Sequence, residues 1–126
     1  MRPLDSHIRL RKWQLDEARR RVAALVRLEE QFRADRARLE IELAAEHAAG
    51  MLPDVQLFER RDKLDCSLAE VAGQLGQARE VLSDASAELQ RSERAVRAVE
   101  KHVRRKRDRG LPRPGLPLGL QPHQAE

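Results

Sequence analysis

The sequence predicts an all-α fold, a long antiparallel two-helix coiled-coil hairpin with a disordered, Pro/Gly-rich C-terminal tail. Two long stretches carry apolar residues at heptad spacing, and one short stretch with Gly and Pro separates them. Charged residues make up 37% of the chain and aromatic residues only 2%, which is typical of long helices and leaves little for a thick core. We expect the hairpin to span residues 1–109, with helices at 5–49 and 55–109, a turn at 50–54 and the tail at 110–126.

The second half of the chain contains the clearest pattern. Its apolar positions recur alternately four and three residues apart from Leu57 to Val103, and only Arg61 and Ser92 are not apolar. This seam consists of Leu57, Arg61, Leu64, Leu68, Val71, Leu75, Ala78, Leu82, Ala85, Leu89, Ser92, Val96, Val99 and Val103. A 3.5-residue period held over this length indicates a coiled coil. Such a helix needs a partner, because burial of the seam supplies most of its stability.

The first half repeats the period less regularly. Asp5 or Ser6 can cap the start of a helix, and no residue interrupts that helix before Ala49. Eight of its twelve seam positions are apolar, and the seam reads Ile8, Arg11, Leu15, Ala18, Val22, Leu25, Glu29, Phe32, Arg36, Leu39, Leu43 and Glu46. This stripe is the natural partner for the seam of the second helix.

A short break separates the two stripes. Gly50 suits the end of a helix, Pro53 is excluded from a helix interior, and Asp54 is a preferred N-cap for the next helix. A reversal near Met51–Leu52 lets the two stripes mesh. The sequence therefore predicts a tight turn here.

The meshing predicts which residues face each other. Leu25 is expected opposite Ala78, and Arg11 opposite Ser92. A register displaced by one heptad would also mesh. In the preferred register the second helix extends several residues beyond the start of the first.

The charge is unevenly distributed along the chain, whose formal net charge is +4. Residues 1–27 contain eight Lys or Arg against three acidic residues, residues 28–90 seven against fourteen, and residues 91–109 nine against three. A hairpin brings the two basic segments together at one end. Arg9, Arg11 and Lys12 oppose the dipole of the first helix there, and this unfavourable arrangement favours an acidic partner.

Nothing in the sequence indicates catalysis. It has no phosphate-binding glycine motif and no paired Cys or His at metal-ligand spacing, so we expect no enzyme, no cofactor and no metal. Cys66 is the single cysteine, which rules out an internal disulfide and favours a reducing compartment. The chain also lacks a long apolar run and a signal-peptide pattern, so a soluble cytoplasmic protein is expected.

The segment His7-Ile8-Arg9-Leu10-Arg11-Lys12-Trp13-Gln14-Leu15-Asp16-Glu17-Ala18-Arg19-Arg20 resembles the N-terminal signature of the FliJ family of flagellar type III export proteins. Residues 58–64 and 94–109 are similar to that family's second-helix start and closing segment. The resemblance implies an antiparallel coiled coil that binds the export ATPase ring and the membrane export gate and helps to recycle export chaperones. It also implies a cytoplasmic location, peripherally associated with the inner membrane.

We assign two candidate surfaces on this basis. The hypothesis for ATPase binding comprises Arg9, Arg11, Lys12, Trp13, Arg104, Arg105, Lys106, Arg107 and Arg109. For the export gate, the candidates are Phe58 and Arg61, close to the predicted turn.

Two other functions fit the same pattern. One is a general coiled-coil adaptor of a related type III secretion system, and flagellar genes beside this one would argue against it. The other, a basic nucleic-acid-binding coiled coil, is less favoured because the basic run follows the seam and stacking aromatics are nearly absent. We therefore expect no nucleic acid partner. Off-seam apolar residues leave both a monomer and a weak homodimer open; these residues are Leu10, Val26, Leu28, Ile41, Val55 and Val81.

Overall fold

The computed structural model describes residues 3–52 and 54–110, which form two helices packed side by side. Helix α1 spans Pro3–Ala48 and helix α2 spans Val55–Gly110. The described residues contain no strand, so the all-α hairpin is confirmed, and the predicted helix bounds are correct to within two residues. Pro53 and the tail from residue 111 onward lie outside the described residues. No described helix is long and apolar enough to cross a membrane.

The two seams pack against each other as the heptad pattern requires. Every seam position of α1, and every one of α2 from Leu57 to Val96, is buried or half-buried. The core is thin: its buried apolar residues are Leu15, Ala18, Leu25, Leu39, Leu57, Val71, Leu75 and Ala78. Val99 and Val103 are exceptions, 44% and 47% exposed near the end of α2. The hairpin therefore depends on one continuous line of contact.

The register agrees with the predicted pairing to within one helical turn. Leu25, Leu75 and Ala78 form one core cluster, as expected from the predicted register in which Leu25 faces Ala78. Arg11 forms an ion pair with Glu88, one turn before Ser92, which was its predicted partner. This offset is expected when each seam side chain enters a space between layers of the facing helix.

A Schellman motif ends α1. Gly50 adopts a φ of 72°, a left-handed conformation that favours glycine. Its N–H donates to the carbonyl of His47 at 3.0 Å, and the N–H of Met51 donates to the carbonyl of Glu46 at 3.0 Å. These two bonds satisfy carbonyls that the end of a helix would otherwise leave unpaired.

Asp54 starts α2 and ties it to α1. Its Oδ1 accepts a hydrogen bond from the N–H of Gln56 at 2.9 Å, which confirms the predicted N-cap. The N–H of Asp54 itself donates to Oε2 of Glu46 at 3.2 Å. The turn is thus held by a cap on each helix and by one bond between them.

Ion pairs connect the helices beside the seam near the turn. Arg36 donates through Nε to Asp65 at 2.5 Å and through Nη1 to Glu40 at 3.0 Å. Nη1 of Arg61 lies 3.8 Å from the same Glu40 carboxylate. The hydrogen bond to Asp65 raises the pKa of Arg36 above its ordinary value. Exposed pairs of this kind add little stability, but they join the two helices at a defined register.

Candidate functional site

The hairpin brings the two basic segments together at one end. One cleft is lined from both helices, by Asp5, Ile8, Arg9 and Lys12 of α1 and by Glu93, Val96, Arg97 and Glu100 of α2. We call this region, residues 3–13 and 93–110, the open end. The prediction that the basic segments meet there is confirmed.

The last turns of α2 present their cations to solvent. Residues 101–110 are all exposed, and they include every candidate on this helix: Arg104, Arg105, Lys106, Arg107 and Arg109. Leu4 lines a second cleft together with Val99 and Val103, so the seam reaches the start of α1. Arg104 and Arg107 line the same cleft, and the helix continues past Val103 for about 10 Å.

Most candidates on α1 are also exposed. Arg9, Lys12 and Trp13 face solvent, and Trp13 is 59% exposed. A large exposed aromatic side chain beside cations is typical of a residue that anchors a protein partner.

Arg11 differs from its neighbours because it lies half-buried in the seam. Its Nη2 is 3.4 Å from Glu88, and its Nη1 donates to Oε1 of Gln14 at 3.1 Å. Its buried Nε has no hydrogen-bond partner among the described residues. Arg11 therefore contributes to the packing of the shaft, and its substitution would not test the surface alone.

Carboxylates are also present at the open end, but cations outnumber them. Glu100 forms an ion pair with Arg104 at 3.8 Å, one turn apart on α2. Residues 91–109 carry nine Lys or Arg but only three acidic residues. The segment therefore has too few carboxylates of its own to pair with most of its cations. The open end is therefore a positively charged surface that suits an acidic partner.

The candidate gate residues contact each other. The guanidinium of Arg61 lies 5.0 Å from the centroid of the Phe58 ring, and both residues are half-buried. Arg61 also faces Glu40. Their proposed role in gate binding stays a prediction.

Sequence reasoning missed a more exposed surface at the turn. Leu52 is 91% exposed, Val55 67% and Met51 59%. We call these three residues the tip. The signal was present in the sequence, since short turns usually consist of Gly, Pro, Asn, Asp or Ser, whereas this one contains consecutive Met and Leu.

No metal site is found among residues 3–52 and 54–110, which hold no group of three or more His, Cys, Asp or Glu placed to bind an ion. Cys66 is exposed on α2. The described residues present two distinct surfaces, one of charged side chains at the open end and one of apolar side chains at the tip.

Comparison with known proteins gives no relative: no family model matches the chain, and no curated protein or solved structure is significantly similar to it. The resemblance to the FliJ family thus rests on the residues quoted above.

Proposed function

We propose that this chain is a stalk of the flagellar type III export apparatus. Its open end binds the ring of the export ATPase, its turn end faces the membrane export gate, and it assists chaperone recycling during flagellum assembly. In this role it acts in the cytoplasm, peripherally associated with the inner membrane. The observation that supports this proposal best is the concentration of exposed cations at the end of a two-helix rod.

The dimensions of the rod suit such a role. Helices of 46 and 56 residues are roughly 70 and 85 Å long at about 1.5 Å per residue. Two packed helices remain only about 20 Å across, because each is about 10 Å wide with its side chains. A thin rod of this length can enter the opening of a ring with one end and reach another component with the other.

The charges of the open end support an acidic binding partner. Cations in the last turns of α2 stabilise that helix through its dipole, whereas Arg9 and Lys12 near the start of α1 oppose theirs. Arg9 and Lys12 also line the same cleft as Arg97 of α2, where three carboxylates offset part of the repulsion among these cations. An acidic surface inside the ATPase ring would offset both costs and would speed association.

Reversing three exposed cations of the open end should weaken ATPase binding at least about tenfold. We predict that the variant Lys12→Glu, Arg105→Glu, Lys106→Glu stays folded and melts only slightly lower, because all three side chains are exposed and each favourable dipole interaction lost at the end of α2 is worth about 0.3–1 kcal/mol. Its affinity for the purified export ATPase should fall at least about tenfold, since each reversal replaces attraction by repulsion. Biolayer interferometry with the full chain measures this directly.

The matched control reverses three exposed cations elsewhere on α2: Arg60→Glu, Lys63→Glu and Arg79→Glu. This variant has the same net charge, and it should bind the ATPase as tightly as the natural sequence. Equal binding by both variants and the natural chain would refute docking through the open end.

The alternative functions predict different results. An adaptor of a related secretion system would prefer the ATPase of that system over the flagellar one. A nucleic-acid-binding protein would retard DNA near physiological ionic strength, with a steep dependence on salt. In the flagellar role, deletion of the gene abolishes swimming and leaves the basal body intact.

A further inference from the structure

We infer that the tip of the hairpin is a second docking site, which inserts Met51, Leu52 and Val55 into an apolar pocket with a basic rim on a protein partner. These three side chains are adjacent and are 59%, 91% and 67% exposed. They lie at the opposite end of the rod from the basic surface. The inference does not depend on which ring or complex the open end binds.

Hydrogen bonds fix the backbone on either side of the tip. The bonds of Gly50 and Met51 close α1, and the bond between Asp54 and Glu46 joins it to the start of α2. A segment fixed before binding loses little conformational entropy when it docks. The described ends of the two helices therefore need little further ordering when the tip docks.

The hairpin offers the side chain of Met51 little apolar surface to pack on. In a Schellman motif the residue after the glycine commonly packs on an apolar side chain in the last turn of the helix. Here the two positions that could supply it are Glu46, whose carboxylate accepts the hydrogen bond from Asp54, and Ala45, which offers only a methyl group. Met51 is accordingly 59% exposed, and an external apolar surface can supply the contact that the hairpin does not.

The tip is not required for the fold. The buried residues nearest to it are Leu39 and Leu57, both in the seam, and polar residues could form the same turn. Exposed apolar residues that are scattered singly are normal, whereas clustered ones mark interaction sites. Met51, Leu52 and Val55 lie within five residues at one end of the rod, which favours a binding role.

The charge around the tip identifies the kind of partner. Residues 44–59, which make up the last turn of α1, the turn and the first turn of α2, contain three carboxylates and no Lys or Arg; the carboxylates belong to Glu46, Asp54 and Glu59. A second copy would bring a like-charged tip, and a membrane of anionic lipids would repel these residues. A protein pocket with an apolar floor and Lys or Arg at its rim complements both features.

To test the inference, photoreactive benzoylphenylalanine replaces Val55 in the full chain. Cross-linking is then induced by light in the cells that naturally produce the protein. The variant Met51→Glu, Leu52→Glu changes the tip, and the matched control Ile41→Glu, Val81→Glu changes two side chains on the helices that are 69% and 58% exposed. All four residues are exposed, so both variants should melt at the temperature of the natural chain. Mass spectrometry identifies the cross-linked peptide.

We expect one cross-linked protein, joined through an apolar segment that is flanked by Lys or Arg. The tip variant should lower its yield at least about tenfold, the effect of removing one or two well-packed anchors. The control variant should give the natural yield, and both should keep their affinity for the export ATPase. This last readout separates failure of the tip from failure of the proposed function.

Three results would overturn the inference. Equal yields from the tip variant and the natural chain would show that the tip does not bind. A cross-link to a second copy of the chain would show self-association instead. Flotation with phosphatidylglycerol vesicles, lost only in the tip variant, would show that a membrane covers these side chains.

Discussion

Replacing Leu25 with alanine is expected to lower the free energy of unfolding by about 2–5 kcal/mol, the range for a leucine removed from a packed core. Leu25 is 3% exposed and packs with Leu75 and Ala78 near the middle of the seam. A two-helix hairpin has one line of contact and no second layer to compensate for a cavity. Most molecules of the variant should therefore be unfolded at physiological temperature, as followed by the far-ultraviolet circular dichroism of the helices.

Leu28 supplies the matched control. It lies less than one turn from Leu25 on the same helix but is 37% exposed. Its replacement by alanine should lower the free energy of unfolding by less than about 1 kcal/mol, because little apolar surface leaves a packed environment. Equal losses for the two variants in urea titrations would show that α1 does not bury the predicted face.

Replacing both Gly73 and Gly76 with alanine should raise the free energy of unfolding by about 2 kcal/mol, since glycine costs about 1 kcal/mol relative to alanine within a helix. Both glycines are exposed in α2, and a Cβ at either position would meet no atom within 4 Å. The substitution thus adds helix propensity without steric conflict. Urea titration of the double variant measures the gain.

At Gly50, replacement by alanine should lower the free energy of unfolding instead of raising it. A Cβ there also meets nothing within 4 Å, but the φ of 72° is strained for alanine. Gly50→Ala should lower the free energy of unfolding by about 1 kcal/mol.

A loss of stability in the variant with alanine at positions 73 and 76 would contradict the prediction for Gly73 and Gly76. It would mean that these glycines are needed for a bend or a contact that a straight α2 does not have.

The fold could be predicted because, in a coiled coil, the heptad spacing of apolar residues shows which positions face the partner helix. The seam positions from Ile8 to Glu46 and from Leu57 to Val96 could be identified one by one, and all are buried or half-buried. Caps such as Asp54 could be identified for the same reason, since a cap depends on a few neighbouring residues. The exact partner of Arg11 could not, because its long side chain reaches Glu88 across a diagonal of the interface.

The candidate surfaces were predictable only in part. Charge counts place cations at the open end, since charged side chains on long helices remain exposed wherever they lie off the seam. Exposure at the tip was not predicted, because it depends on how the Schellman motif and the bond between Asp54 and Glu46 orient the turn. Phe58 was chosen as an aromatic residue near the turn, yet its ring is half-buried beneath the guanidinium of Arg61.

The distance between Lys12 and Arg97 within one molecule tests the hairpin most directly. Both residues are exposed and line the same cleft at the open end. Spin labels on cysteines at these positions, with Cys66→Ser to remove the exposed natural thiol, can be measured by pulsed electron resonance after dilution with unlabelled protein.

The hairpin predicts a label separation below about 25 Å that persists on dilution, since the axes of packed helices lie about 8–10 Å apart. A single straight helix over the same residues would place the labels roughly 130 Å apart at about 1.5 Å per residue. A separation of that order, or a short distance that disappears on dilution, would contradict the fold and the binding surfaces built on it.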